Sequence, residues 1–351
     1  MMKFSKRVIA DDLKLNYAIA MFAGDDGESF LIATEKDGPC LRFDLDGNLM
    51  ETVNEGPGGV MTMAQVPGKG NQFLTTQEFY SPNCGADDAR ISIVSRKGKN
   101  NWEVATLCDM PYVHRFGILQ AADGRHYLIA CTIKSACEYR EDWRFPGKIF
   151  VAPLPDDLSV YHSDHQLKLD VLRDGQLKNH GFFVAADHSY CLIATAREVM
   201  KLTPPTRPGA AWDVETLLEK SVSDICLADF DEDGREELLT LSEFHGARLE
   251  IFKPDADGKY VQVYEHPAEL PFLHAILSTK INGKPIAVIG HRKGERDLYI
   301  VQWNSNSEAY ELLRIDHDRG PANVCAYERD GKLHIIATNR ETNEVALYIQ
   351  D

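Results

Sequence analysis

The sequence contains no apolar run long enough to cross a membrane and no block of lysine or arginine. A membrane-spanning helix needs about 20 consecutive apolar residues, and the opening MMKFSKRVIA continues into polar DDLKLN instead of an apolar signal core. The 54 acidic residues outnumber the 38 basic ones and give a net charge of −16, which argues against a partner with a phosphate backbone. We therefore expect neither a nucleic acid nor a membrane as a partner.

Cysteine pairs at metal-binding spacing are also missing. The eight cysteines are scattered without a CxxC pair, so a zinc knuckle is not expected. Cys131, Cys191, Cys226 and Cys325 lie inside strand patterns, where thiols commonly serve as small apolar core groups. This use of cysteine favours a reducing compartment and predicts a cytoplasmic protein.

No long stretch keeps the apolar period of an α-helix, whereas one short strand pattern recurs along the whole chain. Its copies are spaced at roughly the period of propeller blades, and each belongs to a run of strands separated by Gly and Asp turns. The seven copies are FLIATE, FLTTQE, YLIACT, CLIATA, ELLTLS, IAVIGH and HIIATN.

The chain ends predict how such a ring closes. The last repeat has three strand patterns, and a sheet left there would expose an unpaired edge. The segment KRVIA, Lys6 to Ala10, has no hairpin partner nearby and can pair there as the fourth strand. The sequence therefore predicts an all-β, seven-bladed β-propeller spanning residues 1–351 as a single domain, closed by an N-terminal strand in the last blade.

Alignment of the repeats places several histidines at the first residue of the inner strands. Inner strands surround the propeller axis, so we expect these side chains to converge at one mouth of the central channel. Neutral imidazoles around an open cavity suit Zn, Mn, Fe or Ni. The predicted metal ligands are His114, His180 and His274, with Asp224 as a fourth ligand or as an acceptor that orients an imidazole; alternatively, Asp224 only accepts backbone N–H groups. The other blades supply Asn16 or Tyr17, Gly59 and Asn323.

Polar residues just past each second strand should lie on the same face as these histidines. Together they form a mixed-charge cup suited to a hydroxylated or anionic small molecule, although each alone could be an ordinary solvated rim residue. Among them are Glu243 and His245, and two inserts leave from this face to roof the cup. The predicted substrate-binding residues are Glu35, Gln77, Tyr80, Trp143, Arg197, Asn339 and Arg340, and the catalytic candidates are His291, Tyr139 and Lys134 as bases, with Arg292 beside them.

The segment DFDEDGREE carries a different signal. Asp229, Asp231, Asp233 and Glu237 place several carboxylate oxygens around a tight turn, as a hard cation requires. The sequence predicts a structural Ca²⁺ or Mg²⁺ here, at the mouth opposite the histidines. The alternative is an acidic hairpin turn without an ion.

The DxDxDG turn inside a propeller hairpin resembles the FG-GAP/VCBS repeats of integrin-type propellers. The segments VHRFGI, YLIACTIKSACEYREDW and FPGKIFVAPLPDDLS are similar to the propeller domain of fungal aldos-2-ulose dehydratase/isomerase and its bacterial single-domain relatives. That resemblance implies metal-assisted dehydration of keto-sugars such as 1,5-anhydrofructose, with His114 and the Lys134–Trp143 loop at matching positions. A three-histidine metal site in a propeller also resembles oligogalacturonate lyase, another β-eliminating enzyme.

These observations favour a metal-dependent carbon–oxygen lyase that dehydrates a keto-sugar or sugar derivative in the central channel. The metal would act as a Lewis acid on the carbonyl, and a base would remove the neighbouring C–H proton. Two alternatives remain: a non-catalytic propeller scaffold that binds another protein, and a sugar epimerase or isomerase that uses the same metal site. The oligomeric state is not predicted.

Overall fold

The computed structural model describes residues 2–80 and 84–351, so residues 81–83 of the predicted insert in blade two lie outside the described residues. The described chain forms 28 strands and one short 3₁₀ turn at Arg340–Thr342. The strands pair into seven separate four-stranded antiparallel sheets, one for each repeat. The predicted all-β, seven-bladed β-propeller is confirmed.

After an initial strand, the strands follow one another in chain order, four in each of blades one to six and three in blade seven. They are β1 (Phe4–Ala10); blade one, β2 (Asn16–Gly24), β3 (Gly27–Thr34), β4 (Cys40–Asp44) and β5 (Leu49–Asn54); blade two, β6 (Met63–Gln65), β7 (Gln72–Gln77), β8 (Arg90–Gly98) and β9 (Asn101–Asp109); blade three, β10 (Val113–Gln120), β11 (His126–Thr132), β12 (Gly147–Leu154) and β13 (Asp170–Gln176); blade four, β14 (Gly181–Val184), β15 (Cys191–Ala194), β16 (Val199–Thr203) and β17 (Asp213–Leu218); blade five, β18 (Asp224–Ala228), β19 (Glu237–Ser242), β20 (Arg248–Pro254) and β21 (Tyr260–Glu265); blade six, β22 (Leu273–Ile281), β23 (Lys284–His291), β24 (Leu298–Asn304) and β25 (Ala309–Asp316); and blade seven, β26 (Asn323–Arg329), β27 (Lys332–Asn339) and β28 (Glu344–Gln350).

The second strand of each blade is the recurring segment found in the sequence. These strands are buried on both faces, which is why they read as continuous apolar runs: every residue of β19 is buried, and so are the last six of β3. The fourth strands are largely exposed, as in β21. The apolar pattern of the sequence therefore indicates which strand of a blade is buried and which is exposed.

The N-terminal strand completes the last blade, as predicted. β1 pairs antiparallel with β28, and its register runs from Phe4 opposite Gln350 to Ala10 opposite Val345. The Lys6 ammonium lies 3.0 Å from the Asp316 carboxylate and 2.6 Å from that of Glu344. Backbone pairing and these ion pairs together hold β1 on the edge of blade seven.

The chain divides into two compact units. One contains Ala18–Thr216, and the other contains Met1–Tyr17 together with Leu217–Asp351; the division falls within β2 and β17. In the first unit, Ile129, Cys131 and Cys191 belong to a buried apolar cluster of blades three and four. In the second unit, Val288, Ile335 and their neighbours form a cluster of blades six and seven.

Two of the cysteines, Cys131 and Cys191, belong to the cluster of blades three and four. All eight are free, and Cys131, Cys191 and Cys226 are buried while Cys325 is half-buried. Burial raises the pKa of each of these thiols, to about 11 in Cys325. Across the described residues, no helix reaches the length and apolarity needed to cross a bilayer.

Candidate functional site

A left-handed bend recurs where the chain enters the inner strands. Leu15, Tyr112, Lys178 and Phe272 all have φ between 51° and 62°, and Gly59 has φ 70°. Such φ values are uncommon outside glycine, so their recurrence marks an equivalent position in five repeats. Counting two residues onward gives five residues that lie within two positions of the start of an inner strand: Tyr17, Met61, His114, His180 and His274. Met61, rather than Gly59, therefore corresponds to His114.

Two of these histidines sit on β-bulges. The pairing of β10 with β11 shifts register between Val113 and Arg115, and that of β22 with β23 shifts between Leu273 and Ala275. His114 is the residue at the first shift, and His274 is the residue at the second. A bulge redirects the side chain of its extra residue, and bulges are common beside functional sites.

In the unit Ala18–Thr216, the histidines of blades three and four come together. The His114 and His180 ring centroids are 4.7 Å apart, and Phe79 packs edge-on to His114 at 5.0 Å. Both imidazoles are almost fully buried. The Thr62 hydroxyl donates to the His114 carbonyl at 3.0 Å, which fixes the backbone there.

In the other unit, His274 is held in one tautomer. Its Nδ1 lies 2.6 Å from the Ala322 carbonyl oxygen. Because a carbonyl can only accept, Nδ1 carries the proton, and in the neutral imidazole Nε2 then keeps its lone pair. The Tyr17 hydroxyl lies 3.1 Å from Nε2. This is the orientation in which an imidazole can give Nε2 to a metal.

The sequence interpretation placed His245 in the polar rim but not among the metal ligands. In the structure, one ring nitrogen of His245 and one of His274 lie within 4.8 Å of each other. The His245 ring stacks between Phe244 at 4.1 Å and Phe272 at 4.5 Å. Its position just after the second strand of blade five was the available signal.

Asp224 opens the inner strand of blade five and is buried. Its Oδ1 accepts the N–H of Ile225 at 3.0 Å. This contact fits the alternative interpretation, in which the carboxylate caps backbone groups at the start of the blade.

Two of the candidate bases lie in the blade-three insert. Lys134 is fully buried, its ammonium donates to the Asp142 carbonyl at 2.9 Å, and it lies 4.1 Å from the centre of the Trp143 ring. Tyr139 is 56% exposed. Lys134 therefore holds the insert in place, and Tyr139 stands in solvent.

His291, the third candidate base, is buried within blade six. Its Nδ1 donates to the Lys293 carbonyl at 2.8 Å, and its ring stacks on Tyr299 at 6.2 Å. Burial lowers the pKa of His291, an effect that backbone carbonyls only partly oppose. The imidazole is therefore neutral at neutral pH, as a base must be, but it is enclosed.

The predicted substrate-binding residues fall into three groups. Glu35, Gln77 and Asn339 are buried; the Gln77 amide donates to the Pro57 carbonyl, and that of Asn339 donates to Glu344 and Tyr348. The ammonium groups of Lys134 and Lys178 both lie over the Trp143 ring. Tyr80 hydrogen bonds with Asp37, and burial is the main reason its pKa rises to about 12. Arg197 is exposed, and Arg340 lies at the rim.

A lysine ammonium group from β20 lies among the carboxylates of the acidic turn in blade five. The carboxylates of Asp229, Asp231, Asp233 and Glu237 cluster within 4.8 Å, and Lys253 Nζ contacts Asp231 and lies 2.8 Å from Asp233 and 3.0 Å from Glu237. Burial raises the pKa of Glu237 to about 7, although Lys253 opposes this. A divalent cation at this turn would have to displace the lysine.

A separate cavity of about 700 Å³ lies in the unit Ala18–Thr216. It is lined mainly by apolar residues from the later parts of the inner strands, among them Met21, Met63, Phe116, Ile118 and Val184. Its volume is within the range of small-molecule sites. The sequence interpretation did not identify it, because its residues are ordinary strand residues.

Comparison with known proteins supports the fold. No family model matches the chain, and no curated protein matches it. Among solved structures, the chain is similar to the Cps50 (Swd1) β-propeller domain of Myceliophteria thermophila, with a TM-score of 0.61 and 11% identity over 98% of this chain and 99% of that one.

Two further solved structures show the same likeness. A candidate 6-phosphogluconolactonase of Bacteroides uniformis matches with a TM-score of 0.54 and 13% identity over 95% of this chain and 91% of that one. The Dos1 propeller matches with a TM-score of 0.57 and 9% identity over 94% and 76%. At these identities the likeness establishes a β-propeller and nothing more specific.

Proposed function

We propose that this protein is a metal-dependent carbon–oxygen lyase that dehydrates a keto-sugar or sugar derivative such as 1,5-anhydrofructose. The observation that carries the proposal is the orientation of His274, whose Nδ1 faces the Ala322 carbonyl and so leaves Nε2 as the nitrogen for a metal, and whose neighbour His245 presents a nitrogen within 4.8 Å. The resemblance of the blade-three segments to the propeller of aldos-2-ulose dehydratase/isomerase is the reason for proposing this substrate class. The FG-GAP/VCBS-like turn of blade five bears on the fold and not on the reaction.

The donor set fits a divalent transition metal such as Zn, Mn, Fe or Ni. Metal-binding imidazoles commonly donate their second N–H to a carbonyl or carboxylate, as His274 does to Ala322. His245 and His274 form one imidazole pair, and His114 and His180 form another at equivalent repeat positions. We propose His245 and His274 as ligands of one ion and the pair of His114 and His180 as donors within the unit Ala18–Thr216. Asp224 stays a predicted fourth ligand or an acceptor that orients an imidazole, beside its contact with the backbone.

The bound metal would supply Lewis acidity to the substrate carbonyl. The reaction removes a proton from the carbon next to that carbonyl and releases the hydroxyl of the following carbon as water, so it needs a base and a proton donor. We propose Tyr17 as a proton carrier, because its hydroxyl lies 3.1 Å from His274 Nε2 and would stand beside a metal held there. It joins His291, Tyr139 and Lys134 as a candidate for these roles.

The experiment is an elimination assay on purified protein with 1,5-anhydrofructose and related 2-keto-sugars. β-Elimination creates a conjugated enone, which is followed by its ultraviolet absorbance. We expect enone formation in metal-loaded wild type and its loss in His274→Ala and His245→Ala. His162→Ala, which removes an exposed histidine from the loop that follows blade three's third strand, is the matched control.

Two other functions have distinct signatures in the same assay. A sugar epimerase or isomerase would convert the substrate without creating an enone. A scaffold would bind a protein partner and leave every sugar unconverted. The exposed apolar side chains lie on outer strands of different blades, so they are scattered and do not form one docking patch. They are Val8, Leu49, Val104, Val171 and Val261. The free state of all eight cysteines supports a cytoplasmic location.

A further inference from the structure

The cavity of about 700 Å³ in the unit Ala18–Thr216 is separate from the histidine pair of that unit. Ile118 and Gln120 line it, and they follow His114 on β10 by four and six residues. A strand rises about 3.3 Å per residue, so these two residues lie roughly 13 and 20 Å along the strand from His114. The proposed metal site therefore makes no use of this cavity.

The wall of the cavity is apolar. Met63, Phe116 and Ile118 are buried, whereas Met21 and Val184 are half-buried and still present apolar surface. The unbranched thioether chain of methionine adapts its shape to a neighbouring group. The cavity can therefore take up the apolar part of a small molecule.

The titratable side chains of the cavity can carry only positive charge. Lys69, His126 and His188 lie in or beside the turns that join the first and second strands of blades two, three and four, respectively. Among the described lining residues none is acidic, although the chain contains 54 acidic residues. His188 is exposed and the other two are half-buried, so these groups form a rim that favours an anion.

Asp157 is the carboxylate on which the charge of Lys69 acts. Hydrogen bonds from Ser159 lower the pKa of Asp157, and the Lys69 ammonium adds a smaller effect. Asp157 is exposed, and its Oδ1 already accepts the Ser159 N–H at 2.9 Å. Because an ammonium group has three donors, Lys69 keeps hydrogen-bonding capacity for a ligand.

Hydrogen bonds to the backbone hold the cavity in shape before a ligand binds. The Gln65 side chain accepts the Ala23 N–H at 2.8 Å and donates to the carbonyl oxygens of Ala23 at 2.8 Å and Lys69 at 2.9 Å. His188 Nδ1 lies 2.9 Å from the Ile118 carbonyl oxygen, which can only accept, so Nε2 is the nitrogen left to face a ligand. A preorganised site loses little freedom on binding.

We propose that this cavity binds a medium-chain aliphatic monocarboxylate, whose carboxylate meets Lys69 and His188 at the rim. Its chain packs against Met21, Met63 and Phe116. A charge-assisted hydrogen bond selects the anionic end. Burial selects the chain, because each buried CH₂ group tightens binding by up to about fourfold. The site shares no residue with the proposed metal site or its candidate bases, so it does not depend on the lyase.

The test is titration calorimetry with hexanoate, octanoate and the neutral 1-octanol. We expect octanoate to bind roughly tenfold more tightly than hexanoate, and at least about fivefold more tightly than 1-octanol. Lys69→Gln should weaken octanoate binding about fivefold and leave 1-octanol binding unchanged. Lys97→Gln is the matched control, because Lys97 pairs with Glu103 at 3.2 Å on the outer hairpin of the same blade.

A second variant tests the apolar wall. Ala64 lines the cavity and is half-buried, so Ala64→Phe places a phenyl group in the cavity volume. Binding of octanoate and 1-octanol should both weaken at least about tenfold, because the phenyl group displaces ligand CH₂ groups that each contribute up to about fourfold. Circular dichroism checks that the variant is folded; if it is not, Lys69→Gln at the rim decides alone.

Several results would overturn the carboxylate site. They are 1-octanol that binds as tightly as octanoate, an octanoate affinity that ignores Lys69→Gln, and wild type that binds neither carboxylate. Octanoate that binds folded Ala64→Phe with full affinity would also overturn it, because the ligand would then lie outside this cavity.

Discussion

The hydroxyl oxygen of Tyr17 lies 3.1 Å from Nε2 of His274, the nitrogen left unprotonated when Nδ1 donates to the Ala322 carbonyl. The Tyr17 backbone is fixed too, because its carbonyl accepts hydrogen bonds from Asn323 and Thr338 at 2.9 Å each. A phenol held at a basic imidazole nitrogen both competes with a metal and can supply a proton. The two roles are separable by substitution.

Tyr17→Phe should leave metal binding intact and tighten it by about fivefold, because a competing hydrogen bond worth about 1 kcal/mol is removed. Enone formation should fall if the phenol carries a proton. The measurements are metal affinity by competition with a chromophoric chelator and the elimination rate. Loss of the metal in Tyr17→Phe would instead identify Tyr17 as a ligand.

Deleting residues 1–10 should expose the edge of β28 and lower the melting temperature by roughly 10 °C or more. The strand contributes a full antiparallel pairing and the Lys6 ion pairs with Asp316 and Glu344. Lys6→Ala is the control and should cost much less. An unchanged melting temperature and solubility in the deletion would remove the case for closure by β1.

The acidic turn gives a prediction about cations. We propose that Ca²⁺ or Mg²⁺ binds Asp229, Asp231, Asp233 and Glu237 only where it outcompetes Lys253. Lys253→Gln should therefore melt earlier without Ca²⁺ and show a larger Ca²⁺-dependent rise in melting temperature than wild type. Asp231→Ala should abolish that rise. If Ca²⁺ and chelator change neither protein's melting, the turn is an acidic hairpin stabilised by lysine alone.

Glu237 also predicts a pH dependence. Burial raises its pKa from about 4.5 to about 7, so the folded state takes up a proton that the unfolded chain does not hold in this window. Stability from this group is therefore lost as pH rises from about 4.5 to 7. Glu237→Gln should lack that loss. Its free energy of unfolding, relative to that of wild type, should therefore rise by about 1–3 kcal/mol between pH 5 and pH 7.5.

The check is urea denaturation of both proteins at the two pH values. The other titrating groups, including His266 and His291, are common to both proteins and cancel in the difference. If the free energies of unfolding of wild type and variant differ by the same amount at both pH values, the raised pKa of Glu237 is contradicted.

Local pattern was sufficient to predict the fold. The seven recurring segments are the second strands because burial on both faces demands continuous apolar runs, and KRVIA has the pattern of an edge strand. Both the second strands and the edge strand can be recognised from residues that are close together in the sequence. The same reasoning located His114 and His180, which the structure brings within 4.7 Å, because repeat position determines where an inner strand begins.

The rest of the site depends on contacts that sequence spacing does not encode. Lys253 reaches the acidic turn from the next strand over, and its charge changes what that turn can bind. Trp143 presents its ring to two lysines because the insert folds back on itself. His245 becomes a partner of His274 only through its stacking between two phenylalanines.

Metal analysis of the purified protein and its single-histidine variants decides whether the histidine pair binds a metal. We expect close to one equivalent of a divalent transition metal in wild type at pH 7.5. We also expect weaker metal binding below about pH 6, where imidazoles protonate. His274→Ala and His245→Ala should each lose most of the metal while keeping the circular dichroism of the fold, and His162→Ala should retain it. A full equivalent of metal in the His245→Ala/His274→Ala double variant, or wild type that binds none after loading, would rule out a metal on this histidine pair.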